Sequence, residues 1–262
     1  MKKIFLVVAF ALVASMANAW NVRQDEAVVI LATKHLSPKA KIMVEKCLGT
    51  SYADDVQYIY KLESKKASPY SNEVHYLHLD ASLNPMKVDG DDALATLEQM
   101  LEVVRAGGQH SKEEVSNALR VIINLMCDIH NFSNVRIASV PHSQRDFSFL
   151  SYAGDIGKRK STSKAKWSRF WTSYGGWHSG FSGALWAEDI ELCCGSKCVE
   201  LSQGTLRDWV AQIGTEAARL YKRINPEYTM TRRERNELEY LNYEMIARAG
   251  YRLAALLNYV TK

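Results

Sequence analysis

Asp128 lies in the apolar stretch 122–129, which has the spacing of a buried helix face. Asn124 lies four residues earlier on the same face, and Asn131 continues that stripe. Because an unpaired carboxylate in such a helix would be costly, Asp128 must meet an arginine, another cation or a metal ion. The helix therefore carries a candidate site.

Two further polar segments add to this candidate. Asp54 and Asp55 open a predicted helix, where carboxylates suit the N-terminal dipole with or without a function. His75 and His78 lie in an alternating run that ends at Asp80, and a lone histidine in such a run is more often structural than a ligand. Each position has a plain structural explanation when taken singly.

Trp20 follows a typical secretory signal: a basic start, an apolar segment over 4–16 and the small-residue site Ala17-Asn18-Ala19. Cleavage there predicts a periplasmic or secreted mature chain, 20–262, after a signal peptide over 1–19. It would also leave a free α-amine on Trp20. The pKa of such an amine is near ~8, so a neighbouring cation can take it as a ligand.

The overall charge is close to balance, with 33 basic and 29 acidic residues, and loss of Lys2 and Lys3 leaves a mature net charge of about +2. Charge alone does not indicate a nucleic-acid-binding protein. Past the signal, no apolar run is long enough for a transmembrane anchor. We expect a monomer.

All five cysteines lie in the mature part. Export favours disulfides, and Cys193, Cys194 and Cys198 could close a small loop. A zinc knot at these three lacks a fourth ligand nearby, so we favour the disulfide. Cys47 and Cys127 lie in apolar helical patterns and are the candidates for a buried free thiol.

The elements that must position these residues are helices. Helical spacing, caps and glycine stops predict them over 25–36, 39–48, 54–62, 91–105 and 204–224, with one more after the Ser111-x-x-Glu114 capping box and a last one after the Thr231-x-x-Glu234 capping box. Aromatic, glycine-rich and basic sequence interrupts the pattern over 131–183, and such a long excursion is usually functional. The expected fold is all-α, a single large helical domain over 20–262.

Several phrases spread over the mature chain then fit one family: Trp20, Leu36-Ser37-Pro38-Lys39-Ala40, Cys47-Leu48-Gly49, Ala53-Asp54-Asp55-Val56, His75-Tyr76, Ala118-Leu119, Asn124, Asp128-Ile129-His130, Asn134, Trp209, Ala217, Tyr221 and the segment 249–258. With them the chain resembles the zinc-dependent single-strand nucleases of the S-one/P-one family, helical relatives of bacterial zinc phospholipase C. The resemblance implies that fold and up to three zinc ions.

Carried over residue by residue, the resemblance implies that zinc is bound by Trp20, Asp54, His75 and Asp128, with Asp54 and Asp128 catalytic and Asp128 bridging two ions. Asp25 replaces a family histidine and can still ligate through oxygen. Other ligands are lost, so we expect one or two zinc ions at most. Asn124 and Asn134 stand where the family has histidines, and both are weak candidate ligands. Gly183 and Ala187 stand where it has a later histidine and aspartate, and Gln57 where it has an arginine that clamps the transition state. In a shifted register, His142, His178, Glu188 or Asp189 could supply a ligand instead.

The expected function is therefore hydrolysis of phosphodiester bonds in single-stranded nucleic acid or nucleotides by a zinc-activated water, with weakened activity. The alternative is a non-catalytic descendant that binds single strands or a protein. Basic and aromatic residues from Lys158 to Trp177 offer phosphate contacts and stacking faces for it. We favour instead a solvated segment whose aromatic side chains turn inward.

Overall fold

Ten helices and four short strands make up the part of the chain described by the computed structural model, residues 20–64, 68–156, 159–172 and 180–261. The helices are α1 (Val22–Lys34), α2 (Pro38–Leu48), α3 (Tyr58–Ser64), α4 (Ala93–Arg105), α5 (Lys112–His130), α6 (Trp167–Thr172), α7 (Gly183–Cys194), α8 (Cys198–Ser202), α9 (Leu206–Arg223) and α10 (Arg232–Val260). The predicted signal peptide lies outside the described residues.

The helix ends follow from their capping residues. Ser111 and Glu114 form the predicted capping box of α5, and Thr231 and Glu234 form that of α10. Helix α2 begins at Ser37-Pro38 and stops at Gly49, which has a φ of 83° that few other residues tolerate. The predicted helix over 54–62 is instead a 3-10 turn, Tyr52–Asp55, followed by α3.

The long helix α10 packs along α1, and α4 packs along α5. Gly250 makes the first of these contacts possible, because a Cβ there would lie 2.7 Å from Cβ of Leu31. The largest fully buried side chains include Trp20, Trp167, Trp171 and Trp209. These helices enclose the residues of the candidate site.

The four strands are the part that the all-α prediction missed, since the described residues are 67% helix and 11% strand. Strands β1 (Leu77–Leu79) and β2 (Val135–Ile137) pair in parallel, with Leu77 beside Val135. Strands β3 (Ser148–Ile156) and β4 (Arg159–Lys166) form an antiparallel hairpin. The segment over 131–183 is therefore not irregular throughout: the mixed apolar and basic sequence of 148–166 alternates as a two-faced hairpin does.

Candidate metal centre

The parallel pair β1–β2 brings two distant parts of the sequence to one place. His75 precedes β1 by two residues, and Asn134 directly precedes β2. Asp128 lies in the last turns of α5, which leads into β2. The strand pairing therefore sets His75 beside Asp128, although 53 positions separate them.

Asp128 is fully buried, and both of its carboxylate oxygens are engaged. His75 donates from Nδ1 to Oδ2 over 3.0 Å, and Asn134 donates from Nδ2 to Oδ1 over 3.0 Å. Asp128 thus meets a basic ring and an amide, as a buried carboxylate requires.

His75 lies between two carboxylates, because its Nε2 is 3.0 Å from Oε1 of Glu63 on α3. Burial lowers the pKa of His75, but Asp128 and then Glu63 outweigh burial and raise it to about 9. The ring must lose a proton before it can ligate a metal. Two ligands of one tetrahedral zinc lie about 3.3 Å apart, so the N···O distance to Asp128 suits shared ligation almost as well as a hydrogen bond.

Asp25 is the most unusual group of the site. It is buried on α1, and neither of its carboxylate oxygens has a hydrogen-bond partner of ordinary geometry among the described residues. The Trp20 main chain and the Cys127 thiol lie next to it. Burial, and then the charge of Asp128, raise the pKa of Asp25 well above its usual value, so burial disfavours the charged form of this carboxyl group.

Trp20 is held from the far end of the chain. Its buried indole donates from Nε1 to Oδ1 of Asn242 on α10 over 2.7 Å, while Asn21 donates to the main-chain oxygen of Thr172. These contacts fix the main chain of Trp20 beside Asp25. Trp20, whose amine is a predicted ligand, and Asp25, which is predicted to ligate in place of a family histidine, are therefore neighbours.

Asn124 does not join this group. Its Nδ2 donates to the main-chain oxygens of Asp55 and Arg120, and its buried Oδ1 has no partner among the described residues. Arg120 pairs with Asp55 over 3.1 Å. The position that the resemblance assigns to a ligand therefore tethers α5 to the 3-10 turn that carries Asp54, whose side chain lies outside the described part.

Among the described residues, Gly183, His142 and Asp189 either have no room for a ligand or make other contacts. A side chain at Gly183 would overlap with Glu26 on α1, so this position has no room for a histidine. His142 faces the main-chain oxygen of Tyr221, and Asp189 accepts a hydrogen bond from Tyr243. His178 lies outside the described residues. Across the described ranges, no group of three or more His, Cys, Asp or Glu side chains is set up to hold a metal ion in the present arrangement.

Glu63 is the contact that the sequence did not reveal, because a glutamate near the end of an amphipathic helix looks like ordinary surface charge. All five cysteines are free thiols in this structure: Cys127 and Cys194 are buried and Cys193 is exposed. The loop disulfide among Cys193, Cys194 and Cys198 stays a prediction.

None of the helices described here is both long and apolar enough to cross a lipid bilayer. No family model and no curated protein sequence matches this chain.

Proposed function

We propose that this chain is an exported, divergent member of the zinc-dependent single-strand nuclease family that hydrolyses phosphodiester bonds with reduced efficiency. The unpartnered carboxylate of Asp25, buried beside Asp128, carries the proposal. Two buried carboxylates that share one site repel each other unless a proton or a cation neutralises one of them, and zinc can supply that positive charge. The donors around them fit zinc in chemistry, since carboxylate oxygen and imidazole nitrogen are its usual ligands.

Trp20, Asp25, His75 and Asp128 would hold the ion, with Asp54 added by the family resemblance. When bound, zinc supplies an activated water and an electrophile for the phosphate. The chain's own residues keep the ligands in place: Asn134 and His75 orient Asp128, and Glu63 orients His75. Activity is weakened because neither Asn124 nor Gln57 can replace the family histidine and arginine.

A second candidate function is binding without catalysis. Asn124 and Asn134 already use their amide groups in structural hydrogen bonds, and both ring nitrogens of His75 face carboxylates. In a metal-free protein, the α-ammonium group of Trp20 would then neutralise Asp25. The site would be a buried ion pair that stabilises the fold, and the protein would act through its surface.

Metal analysis of protein that begins at Trp20 separates the two candidates. We expect about one zinc per chain after dialysis, and zinc-dependent hydrolysis of bis(p-nitrophenyl) phosphate and of a single-stranded oligonucleotide. Asp25→Asn should lose the metal, whereas Asp89→Asn, on an exposed turn, should keep it. An extra methionine before Trp20 should weaken zinc binding by blocking the amine.

Protein with an authentic N-terminus that binds no zinc and hydrolyses neither substrate would overturn the proposal and favour the second candidate. Zinc binding without hydrolysis would overturn the catalytic part alone.

A further inference from the structure

The segment over 159–172 is the most one-sided stretch of positive charge in the described chain. It holds five basic residues and no Asp or Glu, in a sequence whose totals of 33 basic and 29 acidic residues nearly balance. The basic residues are Arg159, Lys160, Lys164, Lys166 and Arg169.

The hairpin presents most of this charge on one face. Alternation along β4 places Lys160, Thr162, Lys164 and Lys166 on the same side, and all four are exposed. On its other edge, β3 is fastened to the main chain of Tyr228 and Met230, so β4 is the outer strand of this sheet among the described residues. The cationic face is therefore at the rim of the molecule.

The start of α10 extends the same surface. Lys160, Arg232 and Arg233 line an open cleft of about 680 Å³ between β4 and this helix. Arg232 pairs with Asp155, Arg233 with Glu237, and Lys166 loosely with Asp146. By contrast, Arg159, Lys160 and Lys164 have no carboxylate within 4.0 Å among the described residues, so the surface keeps an excess of positive charge.

The aromatic side chains of this segment point the other way. Trp167, Phe170 and Trp171 are buried and pack with Phe147 and Tyr221 beneath the hairpin. They anchor the strands and are not free to stack on bases. These three residues therefore cannot provide the stacking on bases that the sequence suggested. Lys158, Tyr174 and Trp177 lie outside the described part. Charge is what the visible surface offers to a ligand.

Protection of an exposed strand edge explains why charged residues lie here, since lysines block strand-to-strand aggregation. Edge protection does not explain why arginines of α10, from a different part of the sequence, extend the same positive surface. Binding of a polyanion accounts for both the lysines of β4 and these arginines.

We propose that the face of β4 and the start of α10 form a docking surface for the phosphate backbone of single-stranded nucleic acid, separate from the candidate metal centre. The choice of a nucleic-acid strand as the ligand rests on the proposed function. The existence of the cationic surface rests on the positions of the β4 and α10 residues alone. An anionic membrane is the less favoured partner, because Leu150, 43% exposed, is the one large apolar residue exposed among the described side chains of the hairpin.

The test is binding of a fluorescent oligothymidylate to the full mature chain in EDTA, which prevents hydrolysis. We expect affinity to fall steeply between about 50 and 200 mM salt, with each phosphate contact adding about −0.7 to the slope of log K against log salt. Lys160→Gln/Lys164→Gln should weaken binding about tenfold at the lower salt and reduce the slope by about 1.4. The matched control, Lys41→Gln/Lys46→Gln on α2, removes the same charge from another exposed surface and should change affinity less than about twofold.

Absence of binding at low salt, or equal losses in the two double variants, would overturn the docking surface. Lys160- and Lys164-dependent binding to phosphatidylserine vesicles but not to the oligonucleotide would overturn the choice of partner. Hydrolysis of bis(p-nitrophenyl) phosphate is measured separately, because this small ester needs no docking surface. If this ester is not hydrolysed but the oligonucleotide still binds, the result counts against the proposed function and leaves the docking surface supported.

Discussion

Asn134 donates a hydrogen bond to Asp128 from the position where the family resemblance calls for a histidine ligand. The amide orients the one carboxylate that the resemblance places between two ions. Asn124, at the other position where the resemblance calls for a histidine, makes no comparable contact with Asp128. The two asparagines therefore differ: Asn134 supports Asp128, and Asn124 binds the main chain.

This difference predicts that a ligand can be restored at position 124. Asn124→His adds an imidazole one helical turn from Asp128 without disturbing the Asn134 contact. Because even residues behind the ligands change metal affinity 10–100-fold, we expect zinc affinity to rise at least about tenfold. Competition with a chromogenic chelator measures it. Asn117→His on the same helix, where Asn117 contacts Tyr58, is the control, and equal affinities of the two variants would contradict the assignment.

The close contact between α1 and α10 predicts a stability effect. Gly250→Ala places a methyl group 2.7 Å from Cβ of Leu31 and 3.1 Å from the main-chain oxygen of Val28. Such overpacking costs about 1–3 kcal/mol. Thermal unfolding should show a Tm lowered by about 2–4 °C for each kcal/mol. Gly108→Ala faces open space and should leave Tm nearly unchanged; a similar shift in both variants would argue against close packing here.

Acid sensitivity should come in part from His130. Arg252 can only donate, so Nε2 of His130 accepts from it over 3.2 Å, and Nδ1 carries the proton donated to the Met126 main chain. Burial, and then the charge of Arg252, lower the pKa of His130 well below its usual value. The unfolded chain binds a proton below pH ~6.5 and the folded chain does not, so stability falls as pH drops, by up to about 1.4 kcal/mol per pH unit.

Urea unfolding in EDTA at pH values on both sides of about 6.5 measures this loss. The difference between the two pH values should shrink in His130→Gln, which keeps an acceptor but does not titrate. An unchanged difference would assign the acid sensitivity to other groups.

Thiol reactivity should follow burial. In the reduced protein, exposed Cys193 should react with iodoacetamide first, and Cys127 should stay protected until unfolding, because burial and the nearby Asp25 raise the pKa of its thiol. Peptide mass mapping after a short pulse gives the order. Protein isolated without reductant tests the predicted disulfide. Free alkylation of all three of Cys193, Cys194 and Cys198 would rule it out.

Local signals predicted much of this fold. The capping boxes at Ser111 and Thr231 and the stop at Gly49 give helix ends correctly, because each depends on neighbours in sequence. The pairing of His75 with Asp128 depends on two three-residue strands far apart in the chain, which no local pattern reveals. The hairpin was missed for a related reason: its first strand is fastened at Leu150 to the main chain of Tyr228 and Met230, which lie far along the chain.

The bond between Trp20 and Asn242 spans 222 positions, most of the 262-residue sequence. A ribosome releases Trp20 among the first residues of that sequence and Asn242 among the last. The hydrogen bond of the Trp20 indole therefore cannot form until almost the whole polypeptide has been synthesised. The part of the candidate centre that holds Trp20 is therefore synthesised first but fixed in place last. A chain truncated before α10 would lack Asn242 and would leave the Trp20 indole without this hydrogen bond.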